Sequence, residues 1–563
     1  MTHAPEFKNF IAGDWVAPTT GEYFENRNPA DWNDVIGRFP RSGADDLSRA
    51  LASAKRGFAL WSKTPAPIRG QVLQQVGQLL VARKDEVARA MTREMGKVVA
   101  ETKGDVQEGI DTAFYAATEG RRLFGRVVPS ELRNKWAMSY RRPIGIAGLI
   151  TPFNFPLAIP TWKMFPALLC GNAVIFKPAE DVPHTAHLLV EILLEAGLPP
   201  EVVQLVHGQG SVVGRALVEH PDVPVISFTG STETGSAIGA TCGKMHKRLS
   251  LEMGGKNAMI VMDDADLDLA LDGVLWGAFG TTGQRCTATS RLILHEKIHD
   301  KFVGMLVDRA AKLRLGPGLE DKTDVGPLIH EDARQKVAEY VDIAKKEGAS
   351  VALGGRIPQG NKKLECGWFY EPTVLTGVKP GMRVEQEEIF GPVLAVIKAA
   401  DLATAIIINN DVKYGLSSSL YTRDVNGAFK AMTDLDTGIT YVNAPTIGAE
   451  AHLPFGGVKQ TGNGHREGGW EVYDFYSETK TIYVDFSGQL QRAQIDTEFS
   501  PCRDRCPSHS LVVQLKTRGH LPRIAATLNK ALKSESPAAL FVRAMIVFRT
   551  IACCAAPGCR RQR

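Results

Sequence analysis

Two glycine-bearing segments hold the residues with the greatest chemical reach. Leu251-Glu252-Met253-Gly254-Gly255-Lys256 contains a carboxylate, and Phe279-Gly280-Thr281-Thr282-Gly283-Gln284-Arg285-Cys286-Thr287 contains a thiol. A cysteine adds to a carbonyl carbon far faster as thiolate than as thiol, and a glutamate beside it can activate the water that frees the product. Taken singly, each residue reads blandly: an isolated cysteine is usually an inert buried one, and an isolated glutamate usually faces solvent. The glycines around them let backbone approach a ligand closely. The two segments together predict covalent chemistry at a carbonyl carbon, with Cys286 as nucleophile and Glu252 as the water-activating base.

Such residues need rigid elements to hold them. From about Ile144 short apolar strands alternate with helices, with candidates at 146–150, 174–176, 203–206, 225–228 and 249–251. That alternation predicts a parallel sheet covered on both faces. The strand at 225–228 runs straight into Thr229-Gly230-Ser231-Thr232-Glu233-Thr234-Gly235 and a helix-compatible run, the arrangement of an anion site at a helix N-terminus. Upstream, Val72, Leu73, Val76, Leu79 and Leu80 recur at helical spacing and predict a helical layer, preceded by an exposed N-terminal arm. A second α/β block extends from about Gly255 to Tyr473, with strands at 393–397 and 439–442. Residues 125–142, where Trp136, Met138 and Tyr140 alternate with smaller or polar residues, and residues 473–486 read as exposed strands. An apolar edge strand invites pairing with another subunit, so a homodimer or homotetramer is expected. The alternative is a pair of hairpins folded back on their own domain.

The 563 residues are enough for two or more domains, and 44% apolar with 23% charged residues is ordinary for a globular enzyme. The net charge of +4 is unevenly distributed. Residues 497–563 carry twelve Lys/Arg against three Asp/Glu, leaving 54 basic and 59 acidic side chains in residues 1–496. The body is mildly acidic and has no basic stripe, which argues against a nucleic-acid partner. Cysteine is as uneven: only Cys170, Cys242, Cys286 and Cys366 precede the tail, the usage of a reduced, cytoplasmic protein. In the tail, Cys502 and Cys506 are spaced C-x3-C and no well-spaced second pair follows, so no metal site is expected. The N-terminus shows no export signal, and the apolar run 537–556 contains Arg543 and Arg549, which predicts no membrane span. The tail reads as an extension unrelated to the chemistry.

In order and spacing the glycine turn, the Glu252 segment and the Cys286 segment resemble the NAD(P)-dependent aldehyde dehydrogenase superfamily over roughly residues 7–490. Further matches are Thr151-Pro152-Phe153-Asn154-Phe155-Pro156, Phe176-Lys177-Pro178-Ala179-Glu180, Glu387-Glu388-Ile389-Phe390-Gly391-Pro392 and Leu453-Pro454-Phe455-Gly456-Gly457-Val458-Lys459. The resemblance implies an α/β fold with a Rossmann-like NAD-binding domain (residues 1–124 and 143–254), an α/β catalytic domain (255–472) and an oligomerisation arm of β-strands (125–142 and 473–496), leaving 497–563 unassigned. It implies that Cys286 attacks an aldehyde, that the Asn154 amide and the Cys286 N–H form an oxyanion hole, and that Glu252 activates water to hydrolyse a thioester. A structural alternative for Asn154 is an amide that satisfies buried backbone between Pro152 and Pro156.

For the dinucleotide, the resemblance assigns Lys177 and Glu180 to the adenosine ribose and Thr229, Gly230, Ser231 and Gly235 to the pyrophosphate turn and its helix. Glu388 and Phe390 would contact the nicotinamide ribose and ring, and Thr151 and Phe153 are further implied cofactor contacts. A carboxylate at Glu180 accepts from ribose hydroxyls and repels a 2′-phosphate, so NAD is expected over NADP, with Lys177 softening the preference. Phe153 departs from the tryptophan that many members carry. Arg285 either docks an anionic substrate tail or forms a structural ion pair. Asn443-Ala444-Pro445-Thr446 and the run to His465-Arg466-Glu467 resemble a bacterial branch acting on semialdehydes, including 2-oxoglutarate semialdehyde. Alternatives on the same fold are a CoA-acylating dehydrogenase and a non-catalytic binding protein.

Overall fold

The computed structural model describes residues 4–497. The tail's C-x3-C pair and the apolar run 537–556 lie outside the described residues. Among the described residues two compact units are present: a large one formed by residues 4–128 together with Ala137–Ile482, and a small one formed by Pro129–Trp136 and residues 483–497. In the small unit the Phe486 N–H donates to the Asn134 carbonyl at 2.9 Å, and the Gln491 amide donates to the Arg133 carbonyl at 2.7 Å.

The large unit contains two seven-stranded sheets. In the first, Arg248–Glu252, Val225–Thr229, Ile146–Ile150, Ala173–Lys177 and Val203–Leu205 lie side by side and parallel. All five are present where the apolar runs predicted strands, and apart from Arg248, Leu249 and Thr229 their residues are buried, as a sheet covered on both faces requires. Chain order runs outward from Ile146–Ile150 in both directions, so a topological switch point lies between it and Val225–Thr229. The crevice outside the C-terminal ends of strands at such a point is where ligands bind in open α/β sheets.

One expectation is corrected here. The N-terminal segment is not an exposed arm: Asn9–Ile11 and Asp14–Val16 form a hairpin that adds two antiparallel strands to the sheet beyond Val203–Leu205. Ala12 and Gly13 both take positive φ, 58° and 92°, which gives the tight two-residue turn that matches strand twist. Phe10 and Ile11 are thereby buried in the core.

Helices Ala44–Trp61, Ala66–Ala82, Lys84–Met95 and Val99–Glu119 supply the expected helical layer, with Leu73, Val76 and Leu80 fully buried. Behind the glycine turn, Thr232–Lys244 is helical, and the Ser231 hydroxyl caps it by accepting from the Thr234 N–H at 3.2 Å.

The second sheet orders Ser350–Leu353, Thr373–Thr376, Val393–Ala399, Thr289–His295, Asn257–Val261, Ser417–Tyr421 and Ile439–Val442, parallel except at the first pair. The two sheets change over at Gly254-Gly255-Lys256, so Glu252 ends a strand of one and Asn257 begins a strand of the other. A separate three-stranded sheet orders Ser477–Asp485, Lys135–Pro143 and Arg126–Pro129. Val127, Val128, Trp136 and Tyr140 are exposed on it, the last two being members of the alternating run.

Arg291 anchors the second sheet. At 1% exposure its guanidinium pairs with Glu385 at 2.8 Å and donates to the carbonyls of Lys256, Ile408 and Asn409. Replacing one member of a buried pair strands the other, at about 3–5 kcal/mol. Arg291→Met is therefore expected to lower the apparent melting temperature by several degrees in differential scanning fluorimetry, and an unchanged transition would show that Glu385 finds another partner.

Candidate active site

The loop that carries Cys286 is held in a sparsely populated conformation. Thr281 and Thr282 take φ of 52° and 58°, a left-handed geometry that β-branched residues rarely adopt. Glu101, in the first turn of the helix Val99–Glu119, accepts the Thr281 N–H at 2.7 Å and pairs with Arg285 at 3.2 Å. Arg285 Nε donates to the Thr281 hydroxyl at 2.8 Å, and the Thr282 hydroxyl donates to the Gly326 carbonyl at 3.0 Å. Gly283 follows with φ 70°, and a Cβ there would stand 2.2 Å from the Gly391 carbonyl oxygen, so only glycine fits. Of the two readings of Arg285, the structural ion pair is present. Arg285 also lines the cavity that holds Cys286, so its side chain reaches the cavity wall as well.

The backbone of Cys286 is fixed from the opposite side. Asn257 Nδ2 donates to the Cys286 carbonyl at 2.7 Å and to the Ala288 carbonyl at 2.9 Å. A Cβ on Gly255 would approach that same Cys286 carbonyl oxygen to 2.4 Å, and one on Gly254 would meet the Glu388 carboxylate at 2.3 Å. The Gly255 N–H donates to Glu388 at 2.9 Å. The two glycines after Glu252 thus permit close approach of the nucleophile's loop on one side and of a carboxylate on the other.

Cys286 and Glu252 line one cavity, with Thr229, Met253, Thr287, Phe455 and Glu467 among its walls. The Glu252 carboxyl is buried, and its Oε1 has no hydrogen-bond partner. It lies against Gly456, where a Cβ would come within 2.6 Å of Oε1. The neighbouring backbone is tied across by Met253 N–H to the Thr461 carbonyl at 2.7 Å and a bridge between Glu252 and Gly462. This packing explains why Phe455-Gly456-Gly457 accompanies the Glu252 segment. Asn154 lies in the turn between Ile146–Ile150 and the helix Ala158–Leu169. It is buried, its Oδ1 has no partner, and its side chain makes no hydrogen bond among the described residues. The backbone-satisfying role is therefore absent. Asn154 is not among the residues lining the cavity, although its neighbour Phe155 is.

At the switch point a second cleft opens, lined by Thr151, Phe153, Lys177, Glu180, Thr229, Gly230 and Ser231. Thr229 belongs to both cavities, so the cleft and the thiol chamber meet at its strand end. Gly235 lies one turn into the helix, where a Cβ would strike the Met253 sulfur at 2.4 Å, so its role is to let the helix pack closely. Glu388 and Phe390 line a smaller cavity together with Arg285 and Gly283, and Phe390 meets Phe153 edge-on at 5.8 Å between centroids. A cleft with a capped helix N-terminus, a glycine turn, a half-exposed carboxylate at Glu180 and a buried amine at Lys177 fits a dinucleotide's phosphates and ribose hydroxyls.

The chain matches the aldehyde dehydrogenase family over residues 15–482. The chain belongs to the aldehyde dehydrogenase family. It is 40% identical over 484 residues to the alpha-ketoglutaric semialdehyde dehydrogenase of Bacillus subtilis, covering 86% of this chain and 99% of that one. To the alpha-ketoglutarate semialdehyde dehydrogenase of Haloferax volcanii it is 42% identical over 480 residues, with 85% and 99% covered. The crystal structure of betaine aldehyde dehydrogenase from Staphylococcus aureus in complex with NAD+ superposes with a TM-score of 0.84 at 34% identity, covering 86% of this chain and 96% of that one.

Two features of this aldehyde dehydrogenase site were not visible in the sequence. Asn257 looks like a strand residue, and its hold on Cys286 depends on where the loop returns. Lys163 sits in the helix Ala158–Leu169, where a lysine reads as solvated. It is fully buried instead, pairing with Glu467 and donating to Ser227 at 3.0 Å. Glu467 raises the Glu252 carboxyl and Lys163 opposes it, so the pair forms part of the electrostatic surroundings of the base.

Burial above all, with Glu467 added, holds the Glu252 carboxyl well above the usual carboxylate range. Burial and the carboxylates of Glu252 and Glu388 push the Cys286 thiol up to about 12, against the Thr287 and Cys286 N–H groups, which favour the thiolate. Cys286 is therefore a thiol in the ligand-free enzyme at pH 7 and Glu252 is shifted towards its acid form, while the reactive forms of both are the ionised ones. Raising the pH must increase the reactive fraction. Alkylation of Cys286 by iodoacetamide, followed by peptide mass spectrometry, is expected to accelerate steadily from pH 7 to 10. A plateau near neutrality would mean that the free enzyme already holds a thiolate.

Proposed function

We propose that this enzyme oxidises a short semialdehyde carrying a remote carboxylate, with 2-oxoglutarate semialdehyde the leading candidate, to the corresponding acid, and that it uses NAD in preference to NADP. The observation that carries the chemistry is the shared cavity of Cys286 and the unpartnered Glu252 carboxylate. The substrate class rests on the names of the Bacillus and Haloferax relatives.

Cys286 adds through sulfur to the aldehyde carbon, and its proton passes to Glu252 or to water. The tetrahedral oxyanion then accepts hydrogen bonds from the Asn154 amide and the Cys286 N–H. Loss of one such donor typically reduces the rate by about 10²–10³. NAD, when bound, supplies the oxidant that removes hydride from this carbon. Glu252 then takes a proton from water, which attacks the Cys286 thioester and releases the acid. The side-chain-free Gly456 lets the returning backbone lie against the Glu252 carboxyl, and the Lys163–Glu467 pair forms part of its electrostatic surroundings.

A carboxylate at Glu180 accepts from ribose hydroxyls and repels a 2′-phosphate, which favours NAD. The nearby Lys177 amine softens that preference. Burial pushes its pKa down, while Glu180 and Asp181 act the other way. Glu252 also speaks against a CoA-acylating enzyme, because a water-activating base would hydrolyse the thioester before transfer. We further infer a homodimer or homotetramer built through the exposed strands at 126–143 and 477–485, and a cytoplasmic enzyme.

Assay of 2-oxoglutarate semialdehyde against neutral aldehydes, with NAD and NADP and with and without CoA, tests this reading. It predicts the largest kcat/KM for the carboxylate-bearing substrate with NAD and no need for CoA; an absolute CoA requirement would overturn it. Cys286→Ala should reduce NADH formation to background while leaving NAD affinity within about twofold by calorimetry. Glu252→Gln should give a stoichiometric burst of NADH and then turn over roughly 10²–10⁴ times more slowly. Unaltered steady-state turnover would assign the base elsewhere.

A further inference from the structure

The thiol cavity opens outward into a wider vestibule, and the two share five wall residues: Glu108, Phe155, Arg285, Gly448 and Ala449. These form the throat. Only Glu108 and Arg285 among them carry charge. Arg285 is committed through Nε to Thr281 and through one terminal nitrogen to Glu101. Glu108, on the helix Val99–Glu119, makes no side-chain hydrogen bond or ion pair among the described residues. It is the unpartnered ionisable group of the passage, half-buried where the two cavities meet.

The charges around it are mostly negative. On its own helix Asp105 is paired with Lys97, and Asp111 also lines the vestibule. The vestibule wall also contributes Glu450, paired with His452, and the Tyr441 phenol senses Glu108, Glu450 and Cys286 electrostatically. On the inner side stand Cys286, Glu252 and Glu467. A second ionised carboxylate brought into this passage meets repulsion that a low-dielectric throat screens poorly. A protonated carboxyl in the same place would donate a short, charge-assisted hydrogen bond to it instead.

We propose that Glu108 is a proton-dependent specificity residue: as a carboxylic acid it donates to the substrate's remote carboxylate beside Arg285, and as a carboxylate it excludes that tail. This rests on the semialdehyde reading above. Burial, with Asp105 adding to it, pushes Glu108 up to about 8, against the nearby cations Lys97 and Arg285. The acid form therefore prevails at pH 7 and is lost as the medium becomes alkaline. Rising pH promotes the chemistry at Cys286 and Glu252 for every aldehyde, but it weakens the grip on anionic ones alone.

The test is a ratio, so that the titration of Cys286 and Glu252 cancels. For the wild type, kcat/KM for a carboxylate-ended semialdehyde divided by that for a neutral aldehyde of equal chain length should fall roughly thirtyfold from about pH 6.5 to 9.5, following one group near 8. With E108Q, which keeps a hydrogen-bond donor that does not ionise, the ratio should be flat within about twofold. Inhibition of pentanal oxidation supplies a second readout independent of turnover: the Ki ratio of pentanoate to glutarate should fall over the same range in the wild type and stay constant in E108Q. A pH-independent ratio in the wild type, or the same slope in E108Q, overturns the proposal. If no carboxylate-ended aldehyde is oxidised at any pH, the substrate reading fails, and the glutarate ratio still decides the role of Glu108.

Discussion

Everything at this site depends on a left-handed turn that its own residues would not choose. Thr281 and Thr282 each carry a strain on the order of 1–3 kcal/mol, because a β-branched side chain at positive φ crowds its own backbone. The strain persists because Glu101 binds the turn at two points, the Thr281 N–H and the Arg285 guanidinium, from a helix belonging to the first half of the chain. That helix is itself packed against Ala66–Ala82 and Ala158–Leu169, so the nucleophile's position is referred back to the helical layer. A flexible loop could present a thiol, but it could not hold one against a fixed carboxylate and a fixed cofactor cleft.

The catalytic chamber is correspondingly a product of the changeover between the two sheets. Glu252 ends the last strand of one, Asn257 opens the first strand of the other, and the intervening glycines admit Glu388 on one side and the Cys286 carbonyl on the other. Side chains at 254 or 255 would push these partners apart by an ångström or more, enough to separate sulfur from base. The return of the chain at Phe455-Gly456-Gly457 closes the remaining side. Three segments far apart in sequence therefore meet through backbone, and the acid–base groups stand on rigid elements.

Much of this was legible in advance because the informative signals were local. An apolar run bounded by glycine marks a buried strand whatever surrounds it, and all five parallel strands of the first sheet fall where such runs occur. Cys286 and Glu252 were recognisable from their glycine-rich neighbours. What was hidden depended on long-range return of the chain. Lys163 reads as a solvated helical lysine until Glu467, some three hundred residues later, supplies its counter-charge. Asn257 gains its role only when the 286–288 backbone comes to lie beside it. Arg285 could not be decided because its partner, Glu101, belongs to a helix that offers several equivalent acids. The N-terminal hairpin was missed for another reason: two three-residue strands joined by Ala12-Gly13 are too short to show alternation.

The concentration of carboxyl groups around one thiol poses a physical problem. Glu252, Glu388 and Glu467 near Cys286 all disfavour the thiolate or one another, and only Lys163 and Arg466 oppose them around Glu252. A cavity arranged to stabilise a resting thiolate would place cations there. This one instead leaves the nucleophile a thiol and shifts its base towards the acid form. A permanent thiolate in a partly open cavity would be open to oxidation and to stray electrophiles, whereas a protonated thiol is far less reactive. The same logic extends outward to the throat. Where the chamber meets the vestibule, the fold leaves Glu108 without a partner while tying Arg285 into the turn, so the passage shows an incoming anion one group that can change its charge. Reactivity and access thus both depend on burial raising carboxyl groups above their usual range, at Glu252 in the chamber and at Glu108 in its throat.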